Sequence, residues 1–68
     1  MKRYFIVFYN RQLRNNISNN CIGEITDGSY INNIKMRVKI NSNYSELSRI
    51  IITNIIEVNE ADYNTFFE

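Results

Sequence analysis

The sequence predicts a small α+β domain, and two observations carry that prediction. Three runs are rich in β-forming residues: residues 4–10 (YFIVFYN), residues 21–26 (CIGEIT) and Arg49–Val58 (RIIITNIIEV). The last is the densest apolar run, and it reads as the central strand around which the chain is organised. It leads directly into NEADYNTFFE, which carries the cap and the aromatic spacing of a short helix.

Composition bounds the answer. Sixty-eight residues make one domain, expected to span residues 1–68. A chain of this length buries only about 60% of its unfolded surface, so most of its aliphatic and aromatic residues are needed as core. Cys21 is the only cysteine, which excludes an intrachain disulfide and fits a reducing, cytoplasmic setting. No signal-peptide pattern follows Met1-Lys2-Arg3, and no apolar run approaches the ~20 residues of a membrane span. Asn and Ile dominate while Pro, Trp and His are absent, a bias typical of AT-rich genomes.

Charge is balanced but segregated. The net charge is +1. All eight Lys and Arg lie between Lys2 and Arg49, whereas four acids and no base occupy residues 57–68. A basic body with an acidic tail can meet a basic partner or an acidic one, or satisfy itself internally.

In residues 4–10, Tyr4, Ile6 and Phe8 share one face, and Phe5, Val7 and Tyr9 share the other. Both faces are apolar, as in a strand that is central or covered on both sides. Residues 11–20 (RQLRNNISNN) are polar and Asn-rich and read as a long hairpin loop. Residues 21–26 return as a second strand, closed by the Asp27-Gly28 turn signal. Gly23 inside this strand marks a bulge or a close approach by a neighbour.

Residues 30–43 support two readings. Ile34, Met36, Val38 and Ile40 alternate with Lys35, Arg37 and Lys39, the pattern of a half-buried strand with a basic face. Against this, Asn32 is a good N-cap, Ile31 and Met36 have the spacing of a hydrophobic staple, and Met36, Ile40, Tyr44 and Leu47 follow helical steps. A strand over residues 33–40 would give a four-stranded sheet and one C-terminal helix.

In Arg49–Val58, strict alternation puts Ile50, Ile52, Asn54, Ile56 and Val58 on one face. Ile51, Thr53, Ile55 and Glu57 fall on the other. A mid-strand Asn points to a bulge or an edge position where its amide bonds backbone. Beyond it, Asn59 caps a helix, Asp62 sits at N3, and Val58 and Tyr63 form a staple. Tyr63, Phe66 and Phe67 line one face, expected to pack on the sheet.

Three stretches together resemble a group of very small proteins from phages, mobile elements and genomes of the Bacteroidetes. The group shows G-x-Y-[LI]-N, a helix, an I-T-N-I-I-E strand and D-Y-N. The matching residues here are Gly28-Ser29-Tyr30-Ile31-Asn32, Ile51-Ile52-Thr53-Asn54-Ile55-Ile56-Glu57 and Asp62-Tyr63-Asn64. The likeness covers most of the chain outside residues 11–20. It implies a helix over residues 32–43, and hence β-β-α-β-α, one antiparallel-rich sheet packed by two short helices. Some proteins of this kind are anti-CRISPR or other anti-defence inhibitors, including inhibitors of RNA-targeting type VI effectors. The partner implied is a host protein such as a CRISPR nuclease or its guide-RNA complex.

The residues themselves argue against an enzyme. There is no His for acid–base or metal work, and Cys21 has no His to serve as its base. Glu24 and Asp27 could pair as carboxylates, but they flank a turn. No zinc spacing and no Gly-rich phosphate loop is present, and no cofactor is expected. Three binding readings follow. In the first, a rigid inhibitor docks on a host protein through Arg11, Arg14 and the helix faces carrying Lys35, Arg37 and Lys39. In the second, the same five basic residues track the phosphates of RNA or DNA while Tyr4, Tyr9 or Tyr30 stacks bases. In the third, an exposed strand edge pairs with itself, giving a weak dimer in place of a monomer. Lys35, Arg37 and Lys39 discriminate the first two: a strand gathers them into one stripe, a helix spreads them.

Overall fold

The sheet is built on its first strand. A computed structural model describes residues 1–42 and 49–68. The elements run β1 (Lys2–Leu13), β2 (Asn16–Asp27), α1 (Ile34–Ser42), β3 (Arg49–Val58) and α2 (Glu60–Phe66). Sheet order is β2-β1-β3, with both pairings antiparallel. This is the expected β-β-α-β-α domain; residues 34–42 form a helix, not a fourth strand.

The organising strand is therefore β1, and the expectation that Arg49–Val58 is central is overturned. The reason is two-sidedness. β1 buries Phe5, Val7 and Tyr9 on one face and Ile6 on the other. β3 buries only Ile50 fully and leaves Ile56 exposed, so it lies at an edge despite its higher apolar density.

The predicted loop over residues 11–20 is also corrected. β1 and β2 stay paired from Lys2 opposite Asp27 to Leu13 opposite Asn16, and only Arg14 and Asn15 turn the chain. Arg14 adopts φ 56°, the left-handed backbone that a two-residue hairpin turn requires. Backbone pairing carries this outer half of the hairpin. Its side chains are half-buried or exposed, which is why its polarity resembles a loop.

Gly28, at φ 84°, supplies the left-handed turn after β2. Thr26 Oγ1 donates to the Ser29 carbonyl and holds that turn closed. Asn33, at φ 51°, brings the chain into α1, and its carbonyl accepts from the Arg37 amide at 3.0 Å. The helix thus starts later than the Asn32 cap predicted, because Asn33 takes the left-handed conformation that Asn tolerates.

β1 and α1 enclose the main core: Phe5, Val7, Tyr9, Ile31, Val38 and Ile50, with Ile22, Ile34, Ile52 and Ile55 packed against it. Ile34 and Val38, one turn apart, are the helix positions that reach it. Met36 and Ile40, the first two of the apolar series at helical steps, are exposed, so the predicted Ile31–Met36 staple is corrected. Tyr44 and Leu47, the remaining members of that series, lie outside the described residues, as does Asn43.

The β3 register shifts between Phe8 and Tyr9 of β1: Phe8 faces Asn54, and Tyr9 faces Ile52. Thr53 is the extra residue of this bulge. The shift reverses side-chain parity, so Ile50, Ile52 and Ile55 all join the main core. Unbroken alternation would have split them between faces. Thr53 Oγ1 donates to the Phe8 carbonyl at 3.1 Å, and Asn54 Oδ1 accepts from the Ile55 amide at 2.9 Å. Asn54 thus has the bulge and edge role its type predicts.

α2 lies against β1 on the opposite face of the sheet. Asn59 caps it as predicted, its Oδ1 accepting from the Asp62 amide at 2.7 Å. Tyr63 stacks obliquely on Tyr4 (5.4 Å between centroids), and Phe66 meets Phe8 edge-on (6.1 Å). Tyr63 also fills the space beside Gly23, the close approach that glycine allows.

Candidate docking face

Helical geometry and burial sort the basic residues of α1. Ile34 and Val38 face the sheet, Lys35 and Arg37 flank them on opposite sides with Arg37 half-buried, and Met36, Lys39 and Ile40 lie outward. Arg37 Nη1 sits 3.9 Å from Glu24 Oε1 on β2, and Asn41 Nδ2 donates to Glu24 Oε2 at 2.9 Å. Glu24 is buried, and among the described residues its Oε1 accepts no hydrogen bond. Burial pushes its carboxyl pKa upward, against the smaller opposing pulls of Arg37 and Asn41. Across the sheet, burial raises the Tyr63 hydroxyl pKa, and the charge of Glu24 adds to that rise.

Arg37 is thereby tied into the fold. Lys35 and Lys39 are exposed, stand one turn apart, and make no ion pair among the described residues. Met36 and Ile40 beside them are 61% and 69% exposed. Of the five predicted basic residues, the structure brings two together with an apolar pair. Arg14 sits at the hairpin turn, and Arg11 is half-buried on β1 opposite Ser18 and Ile50. No single basic stripe forms. The members missed by sequence reading are Met36 and Ile40, which it used only as evidence of helical steps.

The candidate stacking tyrosines are engaged elsewhere. Tyr9 is in the core. Tyr4 donates to Glu60 Oε2 at 2.9 Å, and that carboxylate raises the Tyr4 pKa. Tyr30 meets Phe5 edge-on at 5.4 Å and lies under the Arg3 guanidinium. Arg3 in turn grips Glu57 with two bonds of 2.8 and 2.9 Å, which hold the Glu57 carboxyl below its ordinary pKa. Tyr30 is thus part of a Phe5–Arg3–Glu57 cluster.

Among the described residues there is no cavity, no group of three or more His, Cys, Asp or Glu placed to hold a metal, and no helix long and apolar enough to cross a membrane. No protein-family model matches the chain, and no curated protein and no solved structure matches it either.

Proposed function

We propose that this protein acts by binding another protein and has no catalytic chemistry of its own. The observation that supports the reading is the outer face of α1, where Met36 and Ile40 stand exposed beside Lys35 and Lys39. Exposed aliphatic side chains in a chain this short sit outside a core that needs them, and a partner can bury them. The adjoining lysines favour an acidic counter-surface. In line with the resemblance to Bacteroidetes phage proteins, the proposed target is a host defence protein, most specifically an RNA-targeting CRISPR effector blocked by occupancy.

The nucleic-acid reading has less support. Arg37 lies beside Glu24, Tyr9 is in the core, Tyr4 donates to Glu60, and Tyr30, though exposed, packs edge-on against Phe5. Affinity capture from a Bacteroidetes host lysate, with and without ribonuclease, tests the choice. A defence nuclease recovered in both conditions, and lost with Met36→Ser/Ile40→Ser, supports protein docking. Recovery only without ribonuclease makes RNA the ligand and rejects it.

A further inference from the structure

We propose that the protein associates head to tail with copies of itself, the outer face of α1 on one copy seating on the α2 side of the next. The two surfaces are complementary in both charge and apolar content. α1 carries Lys35 and Lys39 beside Met36 and Ile40, and its sequence IKMRVKINS contains no acid. The α2 side exposes Phe66 (47%) and Phe67 (40%), with Ile56 exposed on β3. Glu60 and Asp62 lie in the first turn of α2, Glu68 follows it, and no base occurs in residues 57–68.

Within one copy this complementarity is not used. α1 covers the Phe5–Val7–Tyr9 face of the sheet, and α2 covers the Tyr4–Phe8 face, so the sheet separates them. The segregated charges meet internally at Arg3–Glu57, and within the basic body Arg37 lies beside Glu24. Lys35, Lys39, Asp62 and Glu68 make no ion pair among the described residues. Because the two patches are different and lie on opposite faces, their contact is heterologous. It repeats into an open stack and does not close into a pair. One helix face offers less than the ~800 Å² per partner of a stable interface, so the association is weak and sensitive to salt.

This inference goes beyond the proposed function and is tested on the purified protein alone, so its failure leaves the partner reading standing. The experiment is sedimentation velocity over a concentration series. At low salt the average mass climbs above the 8.1 kDa monomer. It falls back at ~1 M salt, where the screening length is only about 3 Å. Lys35→Glu/Lys39→Glu and Asp62→Lys/Glu68→Lys each remain monomeric alone, and mixing the two restores association, since each acidic patch then meets a basic one. Met36→Ser/Ile40→Ser, which alters only exposed side chains, weakens association about tenfold or more. This variant and the salt series decide the matter even where a change in α2 impairs folding. A wild-type protein that stays monomeric throughout overturns the proposal. So does association indifferent to salt and to the α1 substitutions, which would place the contact at a strand edge.

Discussion

The Tyr63 ring occupies the space that a side chain at Gly23 would need, its hydroxyl, Cζ and Cε2 being the nearest atoms to a Cβ built there. The ring is held from two other sides, by Tyr4 at 5.4 Å and Phe67 at 4.9 Å. It cannot swing away without disturbing the aromatic cluster that seats α2. Gly23→Ala is therefore expected to cost about 1–3 kcal/mol, the usual range for overpacking. Tyr63→Leu in the same chain should recover part of that loss. A double-mutant cycle in urea checks this: a coupling energy near zero would mean the two residues do not compete for space.

Glu24 is a buried carboxylate, one of whose oxygens accepts no hydrogen bond among the described residues, flanked by Arg37 and Asn41 from α1 and with the Tyr63 hydroxyl across the sheet. Its folded pKa is raised, chiefly by burial. A raised carboxyl pKa means that the folded state binds the proton more tightly than the unfolded chain. This group's contribution therefore grows as pH falls through the folded pKa, and its ionised form is a liability above it. Glu24→Gln should stabilise the protein at neutral pH by about 0.5–1 kcal/mol. The gain should shrink as pH falls and vanish once wild-type Glu24 is protonated. Urea midpoints for both proteins across pH test this, and destabilisation by Gln at neutral pH would show that the Arg37 attraction outweighs desolvation.

Glu57 behaves in the opposite sense. Arg3 lowers its pKa, so its contribution is present above the unfolded carboxyl pKa and is lost as pH falls through the folded one. Glu57→Gln should flatten the acid limb of the stability profile. An unchanged acid limb would mean that the two Arg3 bonds contribute nothing measurable, as many exposed ion pairs do.

The bulge at Thr53 rests on two side-chain bonds, Thr53 to the Phe8 carbonyl and Asn54 to the Ile55 amide. Asn54→Ala should cost about 1 kcal/mol through the lost amide partner. It should also speed hydrogen exchange at Ile55, which NMR reads residue by residue. Protection at Ile55 that survives the substitution would show that the amide has another acceptor.

Much of this was legible in the residues. The two-faced apolar pattern of Tyr4 to Tyr9, the Asp27-Gly28 turn, the Asn59 cap and the reason for a mid-strand Asn54 all follow from local chemistry. What was hidden depends on partners distant in sequence. Polarity from Arg11 to Asn20 concealed a hairpin held by backbone pairing. Apolar density made β3 look central, although burial on both faces, as at Phe5 and Ile6, is what identifies a central strand. In α1, the Ile34–Met36–Val38–Ile40 alternation counted four apolar residues as equivalent. The helix uses only Ile34 and Val38, and the candidate site is made of the two it leaves outside.

That division of α1 is the point on which the functional reading rests. It is tested most directly by urea unfolding of three single variants, Val38→Ala, Met36→Ala and Ile40→Ala. Val38 is fully buried, so its truncation should cost about 1–2 kcal/mol, whereas the two exposed positions should stay within about 0.5 kcal/mol of wild type. A large loss at Met36 or Ile40, with little at Val38, would put the opposite face of the helix on the sheet and remove the docking face altogether.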